Sequence, residues 1–340
     1  MSWFRPNPGG AVNIKRRVFS LPTLVSLAVA GAFLAFLVTR FDVDLAGAWD
    51  TVKAGNPWYL ALAVAVHYTT FAFRGARWRL LLQNAQDKAS TIPGAAYCSQ
   101  LVLLGWFVNS VGWFRLGDAY RAYLYRDEQD ASFSRTIGTV LAERVLDAVL
   151  VLLLLLVTVP FLVGGGQQAA WPVLGIAIVL VVALAGALLL MIFGRVRVLR
   201  TLPGRLADRY QRFHQGALAS FAQLPPVTLW GLLGWLAEAG RVFLVVQALD
   251  LDVDLHLVIF ITLANSLLTL VPTPGGLGAV ESGVPVLLVR LSSLSATPAT
   301  ALVLVDRAIT YLSIILVGAC LFFARQALPG RINFLRPAQT

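Results

Sequence analysis

Apolar segments long enough to cross a bilayer recur along this sequence. A helix needs roughly 20 residues to cross about 30 Å of hydrocarbon. Segments that approach or exceed this length lie at approximately 20–39, 57–73, 137–163, 171–193, 226–249 and 298–324. With 58% hydrophobic and 13% charged residues, the chain has too few polar residues to cover a soluble globule. The sequence therefore predicts an all-α polytopic membrane protein with about six full spans.

The basic residues are concentrated between these segments. Most of the 27 Lys and Arg residues lie at 5–17, 74–88, 115–135, 195–212 and 325–336. By the positive-inside rule these clusters are cytoplasmic, which places both termini inside. The net charge of +10 then reflects membrane topology and not nucleic-acid binding. We expect a multi-pass protein of a bacterial-type plasma (inner) membrane.

Two further apolar stretches, 92–114 and 256–271, do not fit as full spans. The first lies between two cytoplasmic clusters, so it must enter the membrane and return. The second continues into "VPTPGGLG", whose prolines and glycines interrupt a helix. A break at membrane depth is tolerated where its backbone groups line a polar cavity. Both stretches are predicted to form re-entrant helical hairpins.

The two halves of the chain also match each other. "FVNSVGW" aligns with "LANSLLT", and "TVLAERVLD" aligns with "LVLVDRAIT". The spacing from Asp118 to Glu143 equals that from Glu281 to Asp306. Because the charge clusters give the halves opposite directions, we predict an inverted-topology repeat with a substrate site at its interface. The units are 20–163 and 171–324, the second containing a basic cytoplasmic linker at 194–225, within one membrane domain of residues 1–340.

Several motifs resemble the flippase-like integral membrane family that includes the transmembrane domain of lysylphosphatidylglycerol synthases. They are "NSVGWFRLGDAYRAYLY", "LAERVLD", "PTPGGLGAVESG" and "ALVLVDR". The resemblance covers roughly 58–323 and implies translocation of lipid between leaflets. In the synthases it implies export of an aminoacylated phospholipid, but we expect no aminoacyl transfer by this chain alone, because only a short tail follows Ala324. Relatives often carry a proline with a glycine in the first hairpin, where this chain has Trp113-Phe114.

The second hairpin offers an anion site. Gly275, Gly276 and Gly278 expose backbone N–H groups at the start of a half-helix, where phosphate is favoured. Alternatively, the glycines only allow a tight turn and Glu281 caps the half-helix.

In the first hairpin, Arg115 and Arg121 flank Asp118, and a guanidinium suits bidentate contact with phosphate. The alternative is anchoring of the hairpin near lipid headgroups.

Two pairs of consecutive acidic and arginine residues, Glu143-Arg144 and Asp306-Arg307, lie deep within predicted spans. Ionisable groups there are costly, so we expect them to face one another or a polar cavity. They either bind substrate or clamp each hairpin to its neighbouring helix.

Other polar residues in apolar segments have weaker assignments. Glu238 and Arg241, three residues apart, are expected to form a self-contained pair. The secondary candidates for the site are Asn109, Asn265, Glu238 and Arg241. His67 is a lone polar residue for which a proton-relay role is a minor alternative. The sequence around Arg74, Arg77 and Trp78 is typical of an interfacial anchor.

The sequence has no Walker A loop, no G-x-S-x-G elbow, no H-E-x-x-H motif and no dinucleotide fingerprint. We therefore expect a transporter without enzymatic activity, cofactor or metal, which moves an anionic phospho- or polyprenyl-phosphate-type lipid. An ion-coupled small-molecule transporter and an integral membrane lipid transferase are the alternatives. Membrane lipids are the expected partners, and a separate lipid-synthesising enzyme stays open as another.

Overall fold

The computed structural model describes residues 45–85, 92–112, 114–164, 166 and 168–327, and this part of the chain is all-helical. The predicted first span, 20–39, lies outside it. The α-helices are α1 Leu45–Ala54, α2 Pro57–Ala85, α3 Ala95–Val111, α4 Gly117–Gln129, α5 Phe133–Gly164, α6 Trp171–Thr201, α7 Gly204–Ala219, α8 Leu224–Ala248, α9 Leu255–Leu268, α10 Ala279–Leu291, α11 Ala296–Arg307 and α12 Ser313–Ala327. Short 3₁₀ turns lie at Gln168–Ala170, Ser220–Gln223 and Pro274–Gly276.

Four helical segments of the described residues are long and apolar enough to cross a bilayer. They are Phe133–Gly164, Trp171–Thr201, Gly204–Ala248 and Ala296–Arg325. They contain the predicted spans at 137–163, 171–193 and 298–324, and all but the last residue of the span at 226–249. Apolar side chains of α6 face outward, with Leu190 75% and Phe193 81% exposed. An apolar exterior of this kind suits lipid, and the chain is a multi-pass membrane protein.

The helix α2 packs against helices of both halves. It runs the length of the predicted span at 57–73 and continues to Ala85. Its side chains Trp78, Leu81 and Leu82 are buried, and α2 packs along α8. At this contact a Cβ on Gly231 would lie 2.7 Å from Nη1 of Arg77, so the absence of a side chain makes room for a buried guanidinium.

Each half contains a pair of short helices joined by a tight tip. In the first hairpin, α3 has 17 residues and precedes α4; in the second, α9 has 14 residues and precedes α10. At 1.5 Å per residue, α3 and α9 are about 25 and 21 Å long, shorter than the hydrocarbon core. The short helices α9 and α10 and the break between them agree with the second predicted hairpin. The prediction that the stretch 92–114 enters and returns by itself was wrong, because one unbroken helix, α3, occupies most of it and the returning arm is α4.

The predicted linker at 194–225 is helical. The helix α6 continues to Thr201, and α7 then crosses α5 closely. At the crossing, a Cβ on Gly216 would lie 2.1 Å from the carbonyl oxygen of Arg135. The crossing therefore depends on glycine, and it holds α7 against α5.

The last span is interrupted by one π-helical segment. Residues Ala308–Leu312 join α11 to α12 with the wider π spacing, and a segment of this kind is frequent at functional sites. This segment places Tyr311 between the two hairpin tips.

Candidate substrate site between two helical hairpins

The carboxylate of Glu143 lies at the centre of a buried ionic network. Its Oε2 accepts a hydrogen bond from Nη2 of Arg121 at 2.6 Å, and its Oε1 accepts one from Nη2 of Arg77 at 3.2 Å. All three residues are about 1% exposed. A carboxylate buried to this extent is tolerated because two guanidinium groups compensate its charge. Glu143 thereby ties α5 to α2 and to α4.

Asp147 belongs to the same network, and the sequence analysis missed it. Nη1 of Arg77 donates a hydrogen bond to Oδ1 of Asp147 at 2.7 Å, and Nη1 of Arg144 lies 3.6 Å from its Oδ2. Asp147 follows Glu143 by one helical turn, so both acids project from the same side of α5. This spacing was the signal that could have revealed it.

The third acid of the network, Asp118, pairs with Arg144. Nε of Arg144 donates to Oδ2 at 3.1 Å and Nη2 donates to Oδ1 at 2.8 Å, in a bidentate arrangement. Arg121 also lies 3.3 Å from Oδ1 of Asp118. We call these six residues the first network: Arg77, Asp118, Arg121, Glu143, Arg144 and Asp147.

The expectation that Arg74, Arg77 and Trp78 anchor the chain at the membrane interface was wrong. All three are buried, and the two arginines contact carboxylates on α5 and α8. The indole of Trp78 donates to Thr139 Oγ1 at 3.2 Å, while the guanidinium of Arg121 stacks 4.9 Å from its ring centroid. The basic residues of α2 neutralise buried acids, and the acids that pair with them lie far away in the sequence.

The tip of the first hairpin is held by backbone contacts. Asn109 Oδ1 accepts a hydrogen bond from the Gly117 N–H at 2.8 Å. A Cβ on Gly117 would lie 1.8 Å from the carbonyl oxygen of Gly105, so the two arms pass each other closely. The amide oxygen of Asn109 is thus engaged in closing the hairpin.

Arg115 differs from the other arginines at this site. Within the described part of the chain its guanidinium has no ion pair, although it lies within electrostatic reach of Arg144 and Asp118. Phe114 and Arg115 both have positive φ, 60° and 52°, which is costly for residues with side chains. The nearby apolar residues Phe114 and Leu116 are 72% and 57% exposed. The tip therefore presents one uncompensated cation beside exposed apolar surface.

In the second hairpin, Glu281 caps the returning helix. Its Oε2 accepts the Gly278 N–H at 2.7 Å, and Gly278 has φ 94°, a conformation that favours glycine. Its Oε1 accepts a hydrogen bond from Nε of Arg307 at 2.6 Å. Nη2 of Arg307 donates to the carbonyl oxygen of Gly275 at 3.0 Å. Arg307 thus contacts the second hairpin at two points, the carbonyl group of Gly275 in the break and the carboxylate of Glu281 that caps the returning helix.

The glycine N–H groups are less available to a ligand than the sequence suggested. Gly278 donates to Glu281, and the Gly276 N–H donates to the carbonyl oxygen of Thr273 at 3.2 Å. Both groups therefore stabilise the tip itself in this conformation, as the capping alternative predicted.

A second network crosses the interface between the halves. Glu238 Oε2 accepts a hydrogen bond from Nε of Arg241 at 3.3 Å, and Glu238 Oε1 lies 3.6 Å from Nη2 of Arg74. Nη1 of Arg241 forms an ion pair with Oδ1 of Asp306. Arg74, Glu238, Arg241 and Asp306 are all buried, and we call them the second network. The expectation of a self-contained Glu238–Arg241 pair was wrong, because Arg74 on α2 and Asp306 on α11 extend it.

Asn265 lies at a narrow cavity within the second half. The cavity is lined mainly by apolar residues together with Thr262, Asn265 and Asp306. The side-chain oxygen of Asn265 is buried and has no hydrogen-bond partner among the described residues. Asn109 and Asn265, equivalent in the sequence alignment, therefore have different contacts.

The two hairpin tips meet at Tyr311. Its hydroxyl donates a hydrogen bond to the carbonyl oxygen of Ser110 at 2.9 Å. A Cβ on Gly275 would lie 2.6 Å from the Tyr311 ring, and the guanidinium of Arg307 lies 4.8 Å from the ring centroid. One side chain thus contacts the first tip, the second tip and the arginine that holds the second tip.

These features define a multi-pass membrane protein in which two broken helical hairpins meet beside buried carboxylate–arginine networks. The sequence matches the model of the lysylphosphatidylglycerol synthase transmembrane region over residues 23–318. The chain therefore belongs to this flippase-like membrane family, as the hairpin motifs predicted.

Several archaeal proteins are similar to this chain. A UPF0104 membrane protein of Methanocaldococcus jannaschii is 31% identical over 225 residues, which are 64% of this chain and 93% of that protein. A UPF0104 membrane protein of Methanothermobacter thermautotrophicus is 23% identical over 296 residues, 79% of this chain and 86% of that protein. Glycosyltransferase AglD of Haloferax volcanii is 24% identical over 340 residues, 87% of this chain and 53% of that protein. The relatives named here are archaeal membrane proteins or an archaeal glycosyltransferase.

Proposed function

We propose that this protein moves an anionic lipid between the two leaflets of the membrane, with the phosphate of the headgroup bound at Arg115. The observation that carries the proposal is the charge balance around the hairpin tips. The first network contains three arginines and three carboxylates, and the second contains two arginines and two carboxylates. Arg307 faces Glu281. Arg115 remains without a carboxylate among the described residues, so a ligand anion compensates it.

The surroundings of Arg115 favour a lipid over a free anion. A phosphate on a lipid brings acyl or prenyl chains with it, and the exposed side chains of Phe114 and Leu116 lie beside the guanidinium. Apolar surface next to one cation suits a ligand that is anionic at one end and apolar at the other. The headgroup then occupies the tip while its tails stay in the surrounding lipid.

The paired arginines have a positioning role in this proposal. Arg121, Arg144 and Arg307 are engaged by carboxylates, so they hold the hairpins in place instead of forming the first contact with phosphate. Asp118 and Glu281 occupy the first turn of each returning helix and receive these arginines. When one of these arginines releases its carboxylate and binds the phosphate instead, the headgroup can move past the tips.

The same proposal includes the inverted-topology repeat, with both termini in the cytoplasm of a plasma-membrane protein. The equivalent contacts of Arg144 with Asp118 and Arg307 with Glu281 support two related units. Opposed units allow alternating access when one half moves against the other. A separate enzyme supplies the lipid, and this chain transports it without chemical change.

The test is leaflet exchange in vesicles that contain purified protein. Labelled phosphatidylglycerol and labelled polyprenyl phosphate are reconstituted separately, and an impermeant quencher reports the outer leaflet. Hydrogen bonds to charged groups contribute about 1.5–3 kcal/mol, so Arg115→Ala should slow protein-dependent exchange about tenfold or more. Arg115→Lys should retain part of the activity, since lysine keeps the charge but not the planar fork.

Arg126→Ala is the matched control, because Arg126 is exposed on α4 of the same hairpin. It should exchange lipid at the wild-type rate. Equal rates for Arg115→Ala and Arg126→Ala would contradict the assignment of Arg115. Wild-type protein that moves neither anionic lipid would contradict the proposed function.

Two other functions have one observation each in their favour. The buried carboxylate–arginine networks also suit an ion-coupled small-molecule transporter, which would take up a solute without moving lipid. The match to glycosyltransferase AglD favours an integral membrane transferase acting on a lipid-linked substrate. A covalently altered lipid recovered from the same vesicles would identify the transferase.

A further inference from the structure

His67 is completely buried on α2, and neither ring nitrogen has a hydrogen-bond partner among the described residues. The imidazole packs edge-on against Tyr68 and Phe71 and lies 6.4 Å from the ring of Trp106. A neutral imidazole always carries one N–H donor, and burying an unpaired donor costs about 1–3 kcal/mol. An apolar side chain would fill this place at lower cost, so packing does not explain the histidine.

Other unsatisfied polar atoms lie in the same interface between α2 and α8. Glu238 Oε1, Arg74 Nε and Trp235 Nε1 are buried and without a hydrogen bond in the described part of the chain. The guanidinium of Arg74 lies 5.0 Å from the ring of Trp106 and 5.6 Å from that of Trp235. The interface therefore holds a carboxylate oxygen that can accept a bond and an imidazole that can donate one.

The charges that face His67 come from two helices. Its own helix contributes Arg74, and α8 contributes Glu238 and Arg241. The helix α3 contributes the uncharged ring of Trp106, and on the side of α12 the hydroxyl of Ser313 lies 2.9 Å from that of Tyr68. With His67 neutral, the second network is balanced, so one proton on the imidazole adds an uncompensated positive charge.

Glu238 is the group that can respond to that proton. It lies 3.2 Å from Arg241 but 3.6 Å from Arg74, so its contact with Arg74 is the longer of the two. An imidazolium attracts the Glu238 carboxylate and repels the Arg74 guanidinium. Both effects weaken the contact between Arg74 and Glu238, which links α2 to α8.

We propose that His67 and Glu238 form a proton-binding site whose occupancy controls the Arg74–Glu238 contact, and that this site couples transport to a proton gradient. A change in the Arg74–Glu238 contact can affect the substrate site because Arg77, one turn after Arg74 on α2, belongs to the first network. The proton site is inferred from the contacts of His67 and Glu238 alone, whereas the coupling to transport rests on the proposed lipid transport.

Nitrogen NMR of the imidazoles tests the proton site without any transport assay. The chain has 3 histidines, so the variant His214→Gln, His256→Gln leaves only His67 in the full-length protein. We expect His67 to change protonation state between about pH 3.5 and 8.5. Glu238→Gln removes the stabilising anion and should shift the midpoint down by about one pH unit or more, while Arg74→Gln should shift it up.

A His67 that keeps one protonation state throughout this range, or a midpoint that Glu238→Gln leaves unchanged, would overturn the proton site. The second measurement is lipid exchange with and without an imposed pH gradient. The ratio of the two rates should differ from one in the wild type and in His256→Gln, an exposed control, and should fall to one in His67→Gln. An unchanged ratio in His67→Gln would overturn the coupling. Wild-type vesicles that move no lipid at all would instead contradict the proposed function, and NMR would still decide the proton site.

Discussion

Arg144 holds Asp118 through two parallel hydrogen bonds of 3.1 and 2.8 Å, from a helix that follows the first hairpin. The two residues are 26 positions apart, the same separation as between Arg307 and Glu281 in the second half. Each acid lies in the first turn of the returning helix of its hairpin. Each half thus uses an arginine of the next helix to hold the arm that returns from the tip.

A double-mutant cycle measures the contact between Arg144 and Asp118. Arg144→Gln and Asp118→Asn should each lower the free energy of unfolding in detergent, because each leaves a partly buried charge with one partner fewer. The double variant should lose less than the sum of the singles, with a coupling of about 1–2 kcal/mol. Strictly additive losses would mean that the pair does not stabilise the hairpin.

Glu143 should be the most sensitive acid in the first network. Glu143→Gln leaves Arg77 and Arg121 buried with one carboxylate fewer, which should cost about 3–5 kcal/mol of stability. Thermal unfolding of the purified protein reports the loss. Asp127→Asn, which changes an exposed acid on α4, is the control and should stay within about 0.5 kcal/mol of the wild type. A similar unfolding temperature for Glu143→Gln and Asp127→Asn would contradict the buried network.

The crossing of α3 and α4 should not accept a side chain. Gly117→Ala places a Cβ against the backbone of Gly105, which cannot move aside as a flexible side chain would. We expect the variant to lose at least about 2 kcal/mol of stability. Gly175→Ala on α6 meets no atom within 4 Å and should be neutral or slightly stabilising by the same unfolding measurement. Equal effects of the two substitutions would contradict the close crossing.

Tyr311→Phe removes only the hydroxyl that bonds to Ser110. This bond contributes about 0.5–1.5 kcal/mol to the joined tips, so its loss should raise the population of separated tips several-fold. Amide hydrogen exchange should then become faster at both tips and remain unchanged in α6. Tyr59→Phe, at an exposed position, is the control and should show wild-type exchange. Unchanged protection at the tips in Tyr311→Phe would show that the hydroxyl does not join them.

The sequence predicted the elements that depend on local composition. The spans within α5, α6, α8 and α11–α12 followed from apolar length, and the second hairpin followed from the helix-breaking residues between α9 and α10. The contacts between side chains were harder to predict, because a contact between distant residues leaves no local pattern in the sequence.

Arg77 and Arg74 illustrate the difference. Both follow an apolar run, which is also where interfacial anchors occur, so their pairing with acids on α5 and α8 could not be read from the sequence. The contact of Asp147 with Arg77 leaves no local pattern, because Arg77 lies 70 residues earlier. The cap formed by Glu281 was predicted as an alternative, since its spacing from Gly278 is local. The ligand role of Arg115 stays a prediction, for which the structure adds the absence of a carboxylate partner among the described residues.

Headgroup selectivity tests the central claim most directly. The measurement is the ratio of protein-dependent exchange rates for labelled phosphatidylglycerol and labelled phosphatidylcholine, in the wild type and in Arg115→Gln. If the uncompensated guanidinium of Arg115 binds the headgroup, the wild type should favour the anionic lipid, and Arg115→Gln should bring the ratio close to one. A ratio that is the same in both proteins would contradict the account, because selectivity would then not depend on Arg115.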